Sequence, residues 1–181
     1  MVVAFNGVDD VALVFLGRDI FAAGDSGVSL LYAASGIGLL LGFALIVSRA
    51  TRVPPVTITI AGFVISSAGN LLTGLSPVIA AAFAMQLVRG VGISLMEVGP
   101  TTLVQRIVPR HLLGRVFANL YGAVGMAAGV SYVVGGLLLE WLSPRTVLAM
   151  AGAGGIAASA ILALRMVTLT GNADANDDPP R

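Results

Sequence analysis

Residues 28–48 read VSLLYAASGIGLLLGFALIVS, an apolar run without a single charge. As a helix rising 1.5 Å per residue it reaches about 31 Å, the thickness of a bilayer's hydrocarbon core. Working outward from Val28–Ser48, five further stretches have the same character: Met1–Gly17, Val56–Leu75, Val78–Gly99, Val116–Leu138 and Thr146–Thr168. In lipid each backbone polar group must find its partner within the protein, and a helix supplies those partners inside one segment. The sequence therefore predicts an all-α membrane protein with six transmembrane helices over residues 1–168. The polar segment 169–181 is expected to be a disordered tail. The first stretch is short and opens at Met1 without a flank, as expected of a fragment, a mis-assigned start or a domain whose other half lies on another chain.

Composition supports lipid as the solvent. Of 181 residues 57% are hydrophobic and only 10% charged, against about 25% charged in soluble domains. Mean hydropathy is +0.96. A soluble fold of ~150 residues still exposes roughly 30% of its unfolded surface, too much to hide so apolar a chain. The net charge of +1 gives no bulk attraction for nucleic acid. The absence of cysteine excludes disulfides, thiol catalysis and cysteine-ligated metals. No basic segment precedes the first apolar run, so the start is not a signal peptide. A chain rich in Ala, Gly and Val, with Arg and no Lys, points to a GC-rich bacterial genome and hence to the inner (plasma) membrane.

The connectors carry turn chemistry. Ser76-Pro77 and Ser143-Pro144 each offer a capping hydroxyl and a first-turn proline, and Pro54-Pro55 opens the third span. Arginines set the orientation. With Arg49, Arg52, Arg106, Arg110, Arg115, Arg165 and Arg181 on one side, only Arg18 and Arg145 lie on the other. The positive-inside rule then places the C-terminus in the cytoplasm and Gly17–Gly27 outside. Gly38–Gly42 and Gly125–Gly129 have the small-xxx-small spacing that lets helices approach closely.

Ionisable groups within the hydrocarbon cost at least ~2.5–3.5 kcal/mol each and mark functional sites. Asp9, Asp10, Arg89 and Glu97 fall inside the spans. From the helical rise, Asp9 and Asp10 lie about 11–12 Å and Arg89 about 16 Å from the outer ends of their spans, all near the midplane. Asn6 shares a face with Asp10. The bland alternatives are interfacial water for the two aspartates, a structural tie for Arg89 and a packing salt bridge from Glu97 to Arg106. Gly24-Asp25-Ser26-Gly27 matches a serine-protease string, but the single histidine, His111, lies in another connector on the opposite face, so no triad forms. No phosphate loop or metal-ligand spacing occurs, and no cofactor, metal or catalytic residue is expected.

The connector Thr101-Thr102-Leu103-Val104-Gln105-Arg106-Ile107-Val108-Pro109-Arg110-His111-Leu112-Leu113-Gly114-Arg115-Val116-Phe117 resembles the one between helices ten and eleven of the major facilitator superfamily, closest to its bacterial drug and siderophore efflux branch. Gly36-Ile37-Gly38, Gly42, Arg49 and Arg52 are similar to the end of helix eight and its loop, with Ser48 where the family has Asp. Arg89-Gly90-Val91-Gly92 resembles an Arg-Gly-x-Gly pattern of helix ten. The resemblance covers Phe5–Met166. It implies the C-terminal six-helix half of a major facilitator fold, a 3+3 inverted repeat around a central cavity. It implies a substrate and proton pathway at Asn6, Asp9, Asp10 and Arg89, and gating at Arg49, Arg52, Glu97, Arg106, Gly114 and Arg115. The expected function is proton-coupled antiport, exporting small amphipathic molecules. The alternative is a non-transporting membrane module that needs a partner, either an N-terminal half or a second copy.

Overall fold

A computed structural model describes residues 6–47 and 53–176. Ser48, Arg49, Arg52 and Arg181 lie outside these residues. The described chain is helical throughout: α1 (Asn6–Phe15), a π-helical turn (Leu16–Ile20), α2 (Gly24–Val47), α3 (Pro55–Leu75), α4 (Ile79–Ile107), a 3-10 turn (Arg110–Leu112), α5 (Leu113–Trp141) and α6 (Pro144–Asn176). Helices α2 to α6 are each long and apolar enough to cross a membrane. The ten residues of α1 and its π turn are not.

Several boundaries differ from expectation. The connector predicted over Gly17–Gly27 shrinks to Phe21–Ala23, because the π turn prolongs the first helix and α2 begins at Gly24. The corner is tight: Ala22 and Gly24 both adopt left-handed backbone, at φ 50° and 57°, a conformation glycine takes without steric cost. The Gly-Asp-Ser-Gly string is simply the first turn of α2, with Ser26 Oγ donating to the Ala23 carbonyl at 2.8 Å. Helix α4 runs through Pro100 to Ile107, eight residues past Gly99. One proline removes one donor, and in lipid the neighbouring helical bonds have no alternative partner. Helix α6 continues past Leu169 to Asn176, since no proline interrupts it before Pro179.

Of the expected caps, Ser143 holds: its Oγ accepts from Thr146 N at 3.3 Å at the start of α6. Pro55 occupies the first turn of α3 behind Pro54. Ser76 does not cap α4. Its hydroxyl donates to the Leu72 carbonyl at 2.8 Å and closes α3, while extended Val78 precedes α4 without a side-chain cap.

Helix α4 packs against both α2 and α3, and α6 covers the far side of α3. Glycines set these approaches. A Cβ at Gly38 would stand 2.0 Å from the Leu87 carbonyl oxygen, and one at Gly92 would stand 2.4 Å from Ser66 N. Helix α1 lies against α5 and α6. It buries Val8, Ala12, Leu13 and Leu16 with Leu31, Ala82, Val147 and Leu148. Gly125 and Gly129 of α5, expected to mediate close packing, face open space. The Arg145 guanidinium sits 5.8 Å from the centre of the Phe21 ring, so the first corner and the start of α6 share one end of the bundle. Outer faces are apolar, with Leu40, Met126 and Leu164 about 70% exposed, as lipid contact requires.

Candidate functional site

Arg89 lies midway along α4 with a side chain only 6% exposed. Gly69 of α3 makes room for it, since a Cβ there would fall 2.8 Å from Arg89 Cβ. Asp9 and Asp10 are consecutive on α1 and so point about 100° apart, yet both reach the same guanidinium nitrogen. Arg89 Nη2 donates to Asp9 Oδ2 at 3.1 Å and to Asp10 Oδ1 at 2.9 Å. The two carboxylates differ in access: the Asp9 side chain is fully buried and that of Asp10 is 28% exposed.

Polar side chains from α2, α3, α4 and α5 surround this trio. Asn70 Nδ2 donates to Asp9 Oδ2. Gln86 Nε2 donates to Thr73 Oγ1 at 3.2 Å, and Gln86 Oε1 accepts from Arg89 Nη1 at 3.4 Å. Tyr132 OH donates to Asp10 Oδ2 at 3.1 Å, and Tyr32 OH donates to the Asp10 carbonyl at 3.0 Å. Asp9 Oδ1, Asn70 Oδ1 and Arg89 Nε are buried without a partner. Two ionised carboxylates against one guanidinium leave a net charge of −1, and an uncompensated charge away from water is unfavourable by many kcal/mol.

The placement of α1 follows from one turn of α5. The first N–H groups of a helix have no acceptor within it. Here Ser131 Oγ accepts from Gly7 N at 3.1 Å and from Val8 N at 2.9 Å. Gly135, one turn on, lies against Val8, where a Cβ would stand 2.9 Å from Val8 Cα. Tyr132 follows Ser131 directly, so the turn that fixes α1 also delivers a hydroxyl to Asp10.

A cavity of about 520 Å³ opens beside the trio. One wall is a stripe of α4, Arg89, Ile93, Met96, Glu97 and Pro100, and the facing wall is a stripe of α5, Leu120, Tyr121, Val124, Ala128 and Tyr132. Steps of three and four residues put each set on one helix face. Gly7 and Asp10 of α1 border the same space, and Phe63 of α3 and Thr101 of α4 complete its lining. Asp10 also borders two smaller cavities, one shared with Ser35 and Leu39 and one with Val14 and Phe15. It stands where three openings meet.

Thus Asp9, Asp10 and Arg89 come together as one cluster. Asn6 begins α1, one turn before Asp10. Glu97 is exposed to the cavity, but it makes no ion pair with Arg106. Nine residues apart on one helix, the two fall on opposite faces. Arg106, Arg110, His111 and Arg115 are exposed near the 3-10 turn, and a Cβ at Gly114 would meet nothing. Among the described residues no cluster of acidic or histidine side chains could hold a metal. Counting ionisable groups alone missed Asn70, Gln86, Ser131 and Tyr132. Uncharged polar side chains in apolar helices tie helices together, and their presence in the predicted spans was the available signal.

The Major Facilitator Superfamily model matches residues 3–180, nearly the whole chain, and the chain belongs to that superfamily of membrane transporters. Searches of curated proteins and of solved structures returned no significant match.

Proposed function

We propose that this major facilitator chain is the C-terminal half of a proton-coupled secondary transporter that exports small amphipathic molecules. With α1 and its π turn counted as a crossing, the chain makes six spans, three and three as an inverted repeat. Its C-terminus is cytoplasmic, in a bacterial inner membrane, by the distribution of arginine. The observation that carries the coupling is the sharing of one guanidinium by two carboxylates of unequal access.

Asp10 is the exchanging acid. It borders the cavities, whereas the Asp9 side chain is fully buried. When Asp10 takes a proton, the cluster becomes neutral and Arg89 keeps Asp9 as its partner. The loss of one bond therefore never strands a buried guanidinium, which would be strongly destabilising. Tyr132 suits both states, since a hydroxyl donates to a carboxylate and accepts from a carboxylic acid. Neutral and charged Asp10 offer two arrangements of α1 against α4 and α5, the kind of bistable contact that alternating access needs. Arg106 and Arg115 hold the α4–α5 connector at the inner surface.

A second reading, a module that transports only with a partner half, is favoured by the open face of α5. Both readings share the chemistry of Asp10, and both leave the chain dependent on a second half. The test of that chemistry needs no transport. Infrared difference spectra of the purified chain, taken across a pH series, are expected to show a carboxylic acid C=O band that titrates. It should vanish in Asp10→Asn and survive in Asp9→Asn. A band that depends on Asp9 alone, or no titrating band, overturns the assignment. In liposomes with an imposed pH gradient, the isolated chain is expected to drive little uptake of lipophilic cations; robust uptake lost in Asp10→Asn removes the need for a partner.

A further inference from the structure

We infer that the acidic segment 174–181 docks on the basic connector between α4 and α5, as an electrostatic strap from the end of α6 to the ends of the two cavity helices. This goes beyond the transport chemistry and does not depend on it. The connector carries Arg106, Arg110 and Arg115, all exposed and none in an ion pair with a described residue. No Asp or Glu occurs between Glu97 and Glu140, so nothing near the connector in sequence offsets its charge. Segment 174–181 has the opposite sign, with Asp174, Asp177 and Asp178 against Arg181.

Glycine contacts put the two at one level. A Cβ at Gly99 of α4 would stand 2.1 Å from Thr59 Oγ1 of α3, and one at Gly155 of α6 would stand 2.3 Å from Ser67 Oγ of α3. Thr59 lies eight residues, about 12 Å, along α3 from Ser67. Helix α6 runs antiparallel to α3, with Gly74 against Arg145 and Gly152 against Leu71, so the plane of Thr59 cuts α6 near residue 163. From that plane Arg106 is about 10 Å along α4 and Asp174 about 16 Å along α6. The chain from Arg106 to the crest at Arg110 spans the difference. Helix α3 packs on both α4 and α6, which sets their axes about 16–20 Å apart. Residues 177–181 extend to about 17 Å, and long side chains close the rest.

Lipid headgroups compete for the same arginines, and depth favours the tail. Exposed Tyr121 and Trp141 are about 30 Å apart on α5, the separation of a bilayer's two interfacial belts. Leu113, where α5 begins, lies about 12 Å beyond Tyr121, past a headgroup layer of about 5–7 Å. One exposed ion pair contributes little; three on a short tether act together at high effective concentration. Held in this way, the two walls are restrained where Pro100 and Thr101 border the cavity.

The chain has no cysteine, so spin labels at His111→Cys and Pro180→Cys report one distance. The full chain is measured by pulsed electron resonance at one copy per phosphatidylcholine nanodisc. A single narrow distance peak is expected. Neutralising Asp174, Asp177 and Asp178 to Asn, or adding 1 M salt to shorten the Debye length to about 3 Å, should broaden it to about 12 Å, the span of five untethered residues. Exchanging the signs, Arg110→Glu and Arg115→Glu together with Asp177→Arg and Asp178→Arg, should bring the narrow peak back. A peak broad from the outset, or one that stays narrow after neutralisation, overturns the inference. A peak that narrows only when phosphatidylglycerol replaces phosphatidylcholine overturns it too, and assigns the connector to anionic lipid.

Discussion

Gly38 and Gly42 on α2 and Gly125 and Gly129 on α5 share one spacing, and the fold treats them in opposite ways. A side chain at Gly38 would stand 2.0 Å from the Leu87 carbonyl oxygen, and one at Gly42 would stand 2.0 Å from Ser94 Oγ. At Gly125 and Gly129 it would meet nothing. Spacing tells that a helix can be approached closely and is silent about what approaches. The contrast extends to the helices themselves. On the α2–α3–α4 side, glycine contacts and the buried Arg89 cluster leave little freedom. Helix α5 holds α1 by polar and close backbone contacts over one band, where Ser131 and Gly135 meet Gly7 and Val8 and Tyr132 meets Asp10, and beyond it only Leu138 and Leu139 pack on the core. The tied region holds the charges, and the loosely tied helix walls the cavity.

The tied side should break hardest at Arg89. Arg89→Met leaves Asp9 fully buried with no cation, an expected loss of about 3–5 kcal/mol. Thermal unfolding in detergent and the yield of monodisperse protein measure it. The triple variant Arg89→Met, Asp9→Asn, Asp10→Asn removes all three charges and should regain most of the loss. A triple variant as damaged as the single one would show that shape, rather than charge, holds α1 to α4.

Next comes Gly38→Ala. The added Cβ presses on backbone of α4 and cannot be relieved by turning a side chain. Overpacking of this kind costs about 1–3 kcal/mol, to be read from the same unfolding curves. Ser131→Ala should be milder, about 1 kcal/mol, as for loss of a helix cap. It removes the one side chain that receives the N–H groups of Gly7 and Val8. Faster hydrogen exchange at those two amides, with the α2–α4 amides unchanged, is the expected signature. Uniform acceleration would mean that α5 is tied more widely than one band.

How far the sequence carried this picture depends on the kind of force. Long apolar runs are dictated by lipid, so the five long helices were legible, with ends displaced by up to eight residues. Turn chemistry misled at Ser76, where hydroxyl and proline are present but the helix starts two residues beyond Pro77. The meeting of Asp9, Asp10 and Arg89 was foreshadowed by depth alone, because three charges at one level in lipid have few stable arrangements. The π turn was not legible, for nothing in Leu16–Ile20 marks a wider helix. Nor was the unequal burial of Asp9 and Asp10, which depends on Asn70 and Tyr132 arriving from helices distant in sequence. The pairing of Glu97 with Arg106 failed on periodicity, which nine residues along one helix could have ruled out.

The smallest expected effect is the sharpest test of the contrast. Gly125→Leu places a branched side chain where, among the described residues, no atom of another helix stands within 4 Å of a Cβ. Substitutions free of contacts stay within about 0.5 kcal/mol, and the helix gains slightly from losing a glycine. The isolated chain should therefore unfold at an unchanged temperature, whereas Gly38→Ala lowers it. If the proposed partner half docks on this face, small residues are what lets its helix come close, and the same leucine holds it off. Association should then fall at least tenfold by crosslinking in membranes, with the fold of the chain intact. A variant that neither unfolds earlier nor associates less would leave the α5 glycines to lipid, and the partner half would have to dock elsewhere. A variant that unfolds early would show instead that α5 turns this face inward, against α4, and that the cavity between them closes.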